Sequence, residues 1–280
     1  MQIVQLIING ILLGGIYAVL GVGMTMIFGI VKLTNLAHGE FVILGAYAST
    51  LISTTLGVDP ILTLIVTIPI MFLIGMGLQS GLINRVMLKG SEPALLVTFG
   101  LSIILQDLML LLFTADARHA GGAYSSIVFN IGPISIALLD VILLAISLVT
   151  IIILSLFLKK TYLGRSIRAT SDDTQAASLM GVSVKKTYGI AMGIAMATAA
   201  VAGLCIALKW TFYPSSGGGY LLTAFGVVVI GGMGSIPGTM VAGVILGLAQ
   251  VIGGANWGQL ISYLIMVLFL VVRPQGLFNK

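Results

Sequence analysis

The feature that most constrains this chain is a series of apolar stretches near 3–30, 38–57, 61–84, 94–113, 134–158, 187–208, 220–253 and 258–272. Several reach the roughly 20 residues a helix needs to cross the hydrocarbon core of a bilayer. Ionisable residues are confined almost entirely to the breaks between them. Only 8% of the 280 residues are charged, against about 25% in a typical soluble domain, so too few charges exist to cover a water-soluble particle. The 36 glycines fall mostly inside the apolar runs, where small residues let membrane helices approach closely. The expected fold is an all-α polytopic membrane protein, one transmembrane domain over 1–280 with about eight apolar segments. The opening MQIVQLIING lacks a basic n-region and its apolar stretch runs on too long for a cleaved signal peptide, so it reads as a retained first membrane segment.

Positive charge orients the segments. The longest hydrophilic loop, about 159–186, carries Lys159, Lys160, Arg165, Arg168, Lys185 and Lys186. The positive-inside rule makes it cytoplasmic. Alternating outward from it puts Lys32, Arg85 and Lys89 on the same side, together with Arg273 and Lys280 if 220–253 crosses an even number of times. Of the 13 basic residues only Arg118 and Lys209 then fall outside, and the N-terminus lies outside with them. The net charge of +5 therefore reflects membrane orientation rather than nucleic-acid binding. Cys205, the only cysteine, lies in an apolar segment and is expected to pack as a small hydrophobe.

Two interruptions stand out. Gly231-Gly232-Met233-Gly234-Ser235-Ile236-Pro237-Gly238 should break a helix. At membrane depth such a break is tolerated only when buried in protein or lining a wet cavity. A re-entrant pair of half-helices or two short crossings would satisfy it. The segment Gly29–Gly45, with Asn35, His38 and Glu40, interrupts two apolar helices in a similar way. Ionisable residues so placed are candidates for a translocation path, the plainer reading being a polar clasp in which Lys32 pairs with Glu40. Asp107 lies in an otherwise apolar stretch and could line a path or pair with a basic residue. Gly231, Gly232, Gly234, Ser235 and Pro237 are read as a gate or cavity lining.

Within the cytoplasmic loop, Ser171 suits an N-cap, and Asp172 and Asp173 sit where a helix dipole favours acids. Gly181 suits the position after the helix end. These signals predict a helix of about nine residues at 172–180, too short to cross a membrane. Ala176, Leu179 and Met180 share one face, which calls for a partner groove.

Gln175-Ala176-Ala177, three residues, then Gly181 resembles the Glu-Ala-Ala-x-x-x-Gly pattern of ABC-importer permeases, whose short cytoplasmic helix docks into an ATPase subunit. Gln replaces Glu, and a following Ile-x-Leu-Pro is absent. Three further runs and the start of that loop occur in order: Asn35-Leu36-Ala37-His38-Gly39-Glu40, Gly164-Arg165-Ser166-Ile167-Arg168-Ala169, the glycine-rich 231–238 and Arg273-Pro274-Gln275-Gly276-Leu277-Phe278. Together they resemble the branched-chain amino-acid permeases of the LivH type over essentially the whole chain. That resemblance implies a bacterial inner-membrane protein working with a second homologous permease subunit of the LivM type. It also implies two cytoplasmic ATPase subunits that hold ATP and Mg, and a periplasmic substrate-binding protein. The ATPase-coupling surface would comprise Arg165, Arg168, Asp172, Asp173, Gln175, Ala176, Ala177, Leu179, Met180 and Gly181.

The sequence itself contains no G-x-x-x-x-G-K-[ST] phosphate loop, and one Cys with two separated His residues offers no metal-ligand spacing. Neither a cofactor nor catalysis is expected in this chain, so ATP-driven pumping would be powered by a partner. Similar permeases serve branched-chain amino acids, other neutral amino acids, or urea and short amides. An ion-gradient secondary transporter is the alternative from another class, since broken helices are common there.

Overall fold

The computed structural model describes residues 2–87, 90–122, 124–132 and 134–278. Lys89 and Lys280, both expected inside, lie outside the described residues. The chain is helical almost throughout. In order come α1 (Gln2–Val31), α2 (His38–Leu56), α3 (Leu64–Leu78), a π-helical turn (Gln79–Ile83), α4 (Asn84–Met87) and α5 (Ser91–Phe113). A short antiparallel hairpin, β1 (Val128–Ile131) and β2 (Ile134–Ala137), leads into α6 (Leu138–Lys160). Then follow α7 (Tyr162–Asp172), α8 (Thr174–Leu179), α9 (Val184–Lys209), α10 (Gly217–Gly231) and α11 (Ile236–Val272). Eight described helical stretches are long and apolar enough to cross a membrane. The fifth apolar segment, 134–158, differs from expectation at its start, because 134–137 pair as β2 and the helix begins only at Leu138.

The longest of these helices is itself a hairpin. Gly254 has φ 65° and ψ −168°, a conformation that a residue with a Cβ rarely adopts. Beyond it the chain doubles back: Gly258 packs on Gln250, and the Ser262 hydroxyl donates to the Leu246 carbonyl at 3.3 Å. Each limb is about 27 Å long by helix rise. The described residues thus form nine apolar limbs, with two crossings in 217–253 and the last limb returning to the starting side. There Leu277 N–H donates to the Ile230 carbonyl at 2.9 Å.

Contacts sort the loops into two ends. At one end Arg118 pairs with Phe212 through two backbone hydrogen bonds of 2.8 and 2.9 Å, Lys209 is ion-paired to Asp140, and Gln5 bonds Ser135. Tyr47 stacks on Phe113 at 4.2 Å there, with the Arg118 guanidinium 5.5 Å from the Phe113 ring centre. Burial and the Asp59 carboxylate push the Tyr124 phenol in this region up to about 12. At the other end Gly29 meets Gly234, Asn84 approaches the Lys185 carbonyl, and Ser171 donates to the Gly29 carbonyl. Lys32, Arg85, Arg165, Arg168, Lys185, Lys186 and Arg273 belong to this second end, the cytoplasmic one by the positive-inside rule.

α1 is the axis of the fold and touches α6, α9, α10 and α11. Its tightest seam is with the first limb of α11. Gly10 and Gly14 are one helical turn apart, as are Gly243 and Gly247, and the four face each other across antiparallel helices. A Cβ on Gly14 would stand 2.6 Å from the Val244 Cα, and one on Gly243 would stand 2.5 Å from the Gly14 carbonyl oxygen. Such approach maximises van der Waals contact where no hydrophobic force drives helices together. α9 is nearly enclosed, and Cys205 on it is fully buried beside Ser147 of α6. By contrast α3, α5 and the second limb of α11 turn most of their apolar surface outward. Gly14→Val is therefore expected to lower stability in detergent by about 1–3 kcal/mol or more, the range for overpacking. Gly77→Ala, with open space around its Cβ, should leave the melting temperature unchanged.

Candidate functional site

The first candidate surface is built on α7 and α8, and its helix boundaries differ from expectation. Ser171 and Asp172 close α7 instead of opening the next helix. The N-cap of α8 is Asp173, whose carboxylate accepts from the Gln175 N–H at 2.8 Å and the Ala176 N–H at 3.0 Å. The helix has six residues, not nine. Ser171 is drawn away because its hydroxyl reaches the Gly29 carbonyl at the end of α1, leaving Asp173 as the nearest side chain able to satisfy the free N–H groups. Gly181 does follow the helix end, with φ 85°.

Burial divides α8 sharply. Ala177 is buried against its own chain, whereas Leu179 and Met180 are 89% and 86% exposed. Asp172, Gln175 and Ala176 are exposed as well, as are Arg165 and Arg168 on α7. Two large apolar side chains thus project from a small helix on the basic end, beyond the membrane-spanning helices.

The second candidate is the interruption after α1, which folds back into the protein interior. His38 Nε2 donates to the Leu20 carbonyl at 3.1 Å, and Leu20 lies eleven residues before the end of α1, about 16 Å by helix rise. α2 therefore starts near mid-depth. Asn35 starts it: its Oδ1 accepts from Ala37 N–H at 3.1 Å and its carbonyl from His38 N–H at 3.2 Å. Thr98 of α5 steadies the approach, with its hydroxyl 3.3 Å from both the Leu36 amide and the Thr34 carbonyl. The expected Lys32–Glu40 pair is absent. Lys32 is exposed, and the Lys209–Asp140 contact is the sole ion pair among the described residues.

Glu40 is 3% exposed and packs its carboxylate directly on Gly217, the first residue of α10. A carboxyl group at this position faces the positive end of the α10 dipole, and its Oε2 has no hydrogen-bond partner among the described residues. Gly217 leaves the room for it, since a Cβ there would overlap the carboxylate.

Asp107 is elsewhere, exposed on the outward face of α5 and remote from this cluster. The 231–238 break lies at the basic end. Gly231 crosses Gly238 backbone to backbone, Gly234 packs on Gly29, and Gly232 packs on Gly276. Ser235 caps α11 by accepting from Gly238 N–H at 3.1 Å, with Pro237 in the first turn.

Sequence reasoning missed a cavity of about 420 Å³ between α1, α10 and the two limbs of α11. Tyr17, Trp210, Tyr220, Gln250 and Tyr263 are among its walls, whereas none of the flagged path residues line it. The signal was available: three glutamine or tyrosine side chains, Gln250, Gln259 and Tyr263, recur in the apolar 246–266 region.

Glu40→Gln keeps the shape of the α2–α10 contact and removes its charge. It is expected to destabilise the protein by about 1 kcal/mol, the scale of a partly buried helix-terminus interaction. Gly217→Ala should lower the melting temperature more than Gly218→Ala, whose Cβ would meet open space.

Comparison with known proteins is consistent over nearly the whole length. Residues 6–271 match the family model described as branched-chain amino acid transport system / permease component. The chain is 31% identical over 301 residues to the high-affinity branched-chain amino acid transport system permease protein LivH of Salmonella typhimurium, covering 99% of this chain and 95% of that one. It is 27% identical over 296 residues to BraD of Pseudomonas aeruginosa, with the same coverage. The fold is similar to that of PsaBC from Streptococcus pneumoniae, solved with a Fab, at a TM-score of 0.50, 15% identity and coverage of 97% of this chain and 91% of that one. With nine apolar limbs in one frame and these matches across them, the chain is a multi-pass membrane transport subunit and belongs to the family of branched-chain amino acid transport system permease components.

Proposed function

We propose that this chain is one half of the membrane domain of an ATP-driven importer for branched-chain amino acids. It would work with a second homologous permease subunit, two cytoplasmic ATPase subunits that bind ATP and Mg, and a periplasmic binding protein. The observation that carries this reading is α8: a capped helix at the basic end holding Leu179 and Met180 almost fully in water. Exposing two such side chains forgoes roughly 1.5–3 kcal/mol each relative to burial, and a groove on an ATPase subunit would recover it. Family membership supports the same partner.

Coupling would be mechanical. Ser171 in the last turn of α7 is bonded to Gly29 of α1, and Gly29 in turn packs on Gly234 in the break between α10 and α11. Movement of α8 with a closing ATPase would reach the membrane helices through this contact chain and bias a two-state equilibrium. Arg165 and Arg168 would flank the docked subunit. Asn35, His38 and Glu40 would hold the re-entrant start of α2 against α10, and the 231–238 glycines would act as the hinge of the inner gate.

Leu179→Asp combined with Met180→Asp is expected to abolish ATP-dependent uptake and co-purification of the ATPase subunit, while membrane insertion and melting temperature stay as in the wild type. Retained uptake in this variant would refute α8 as the coupling helix.

A further inference from the structure

The cavity between α1, α10 and α11 has a composition unusual for the middle of a membrane protein. Tyr17, halfway along α1, forms part of its wall, so the cavity reaches mid-depth. Its lining includes five aromatic side chains and nine Ser, Thr, Gln or Gly positions, and contains no Asp, Glu, Lys, Arg or His. Some of the polar atoms are internally satisfied: the Tyr17 hydroxyl bonds Gln250 Oε1, and Gln259 Nε2 donates to the Tyr263 hydroxyl at 3.0 Å. Others have no hydrogen-bond partner among the described residues, namely the Tyr220 hydroxyl, the Gln250 amide nitrogen and the Trp210 indole N–H. A few directed polar groups set in aromatic walls are the usual make-up of a small-molecule site, and the link 210–216 between α9 and α10 supplies part of the lining.

We propose that this cavity is a binding site for the transported solute within the membrane domain. It would take a small molecule of zero net charge, with an apolar body against Trp210 and Tyr220 and polar ends at Gln250 and Tyr220. Its volume of about 420 Å³ falls within the roughly 300–1,000 Å³ of small-molecule pockets. The uncharged lining sets the selectivity: an ion entering it would lose hydration with no opposite charge to compensate. Glu40 reinforces this by covering the start of α10 from the α2 side, so the dipole there already faces a carboxylate. Specificity would then reside partly in this chain and not wholly in a binding protein. This proposal rests on the importer reading above.

Cys205 is fully buried, so an introduced cysteine can be labelled selectively. Gly219 lines the cavity, Gly218 does not, and both have open space at the Cβ position. In the assembled, nucleotide-free complex, L-leucine at about ten times its half-protecting concentration should slow methanethiosulfonate labelling of Gly219→Cys by about tenfold, as mass action requires. Gly218→Cys should be unprotected, and L-lysine and L-glutamate should protect neither. Gly219→Trp should reduce uptake by about tenfold or more by filling the site, with ATPase co-purification and melting temperature preserved. If the wild-type complex transports leucine but leucine gives no protection, or Gly219→Trp transports normally, the cavity is not a solute site. Equal protection by lysine would overturn the assigned class of ligand. Absence of any ATP-dependent uptake by the wild type would instead refute the importer reading.

Discussion

The close approach of α1 to the first limb of α11 is the contact on which the other features depend. Gly10 and Gly14 fit against Gly243 and Gly247 at distances that leave no space for a Cβ, and the reward is dispersion contact along two long helices. With that seam in place α1 becomes an axis of about 45 Å by helix rise. Against it the irregular parts of the chain can be buried. The His38 ring finds a backbone carbonyl on α1, the 231–238 break packs beneath its inner end, and Ser171 ties α7 to the same end. In a bilayer each of these unpaired backbone stretches would otherwise be prohibitive.

The interior that results is polar without being ionic. Glu40 meets a helix terminus instead of a cation, Asn35 is used up in starting α2, and the cavity beside Tyr17 is lined by hydroxyl and amide groups. Charge is kept to the two ends, apart from Glu40 within and Asp107 on the outer face of α5. On the importer reading proposed above, an interior of this kind would suit passage of a net-neutral solute, with energy delivered at the end where Leu179 and Met180 are exposed.

The limbs, and which loops share an end, were legible from the chain because hydrophobic length and Lys/Arg placement act locally. The helix break at 231–238 was legible for the same reason, as glycine and proline disfavour helix whatever surrounds them. The start of α8 was not: Ser171 and Asp173 are both competent caps, and only a tertiary contact to Gly29 decides between them. The partner of Glu40 was equally hidden, since Lys32 is close in sequence and Gly217 is 177 residues away. The turn at Gly254 was legible too, since it falls in the gap between the apolar segments 220–253 and 258–272. The cavity escaped notice because uncharged tyrosine and glutamine scattered over three helices converge only in the folded protein.

The most direct measurement is uptake of L-leucine into proteoliposomes containing this chain, its permease partner and the ATPase subunits, with the binding protein supplied at the periplasmic face. Accumulation that requires ATP and both partner types, and that is unaffected by collapsing proton and sodium gradients, is the expected result. Accumulation driven by an ion gradient in vesicles lacking the ATPase would contradict the assignment and point to a secondary transporter.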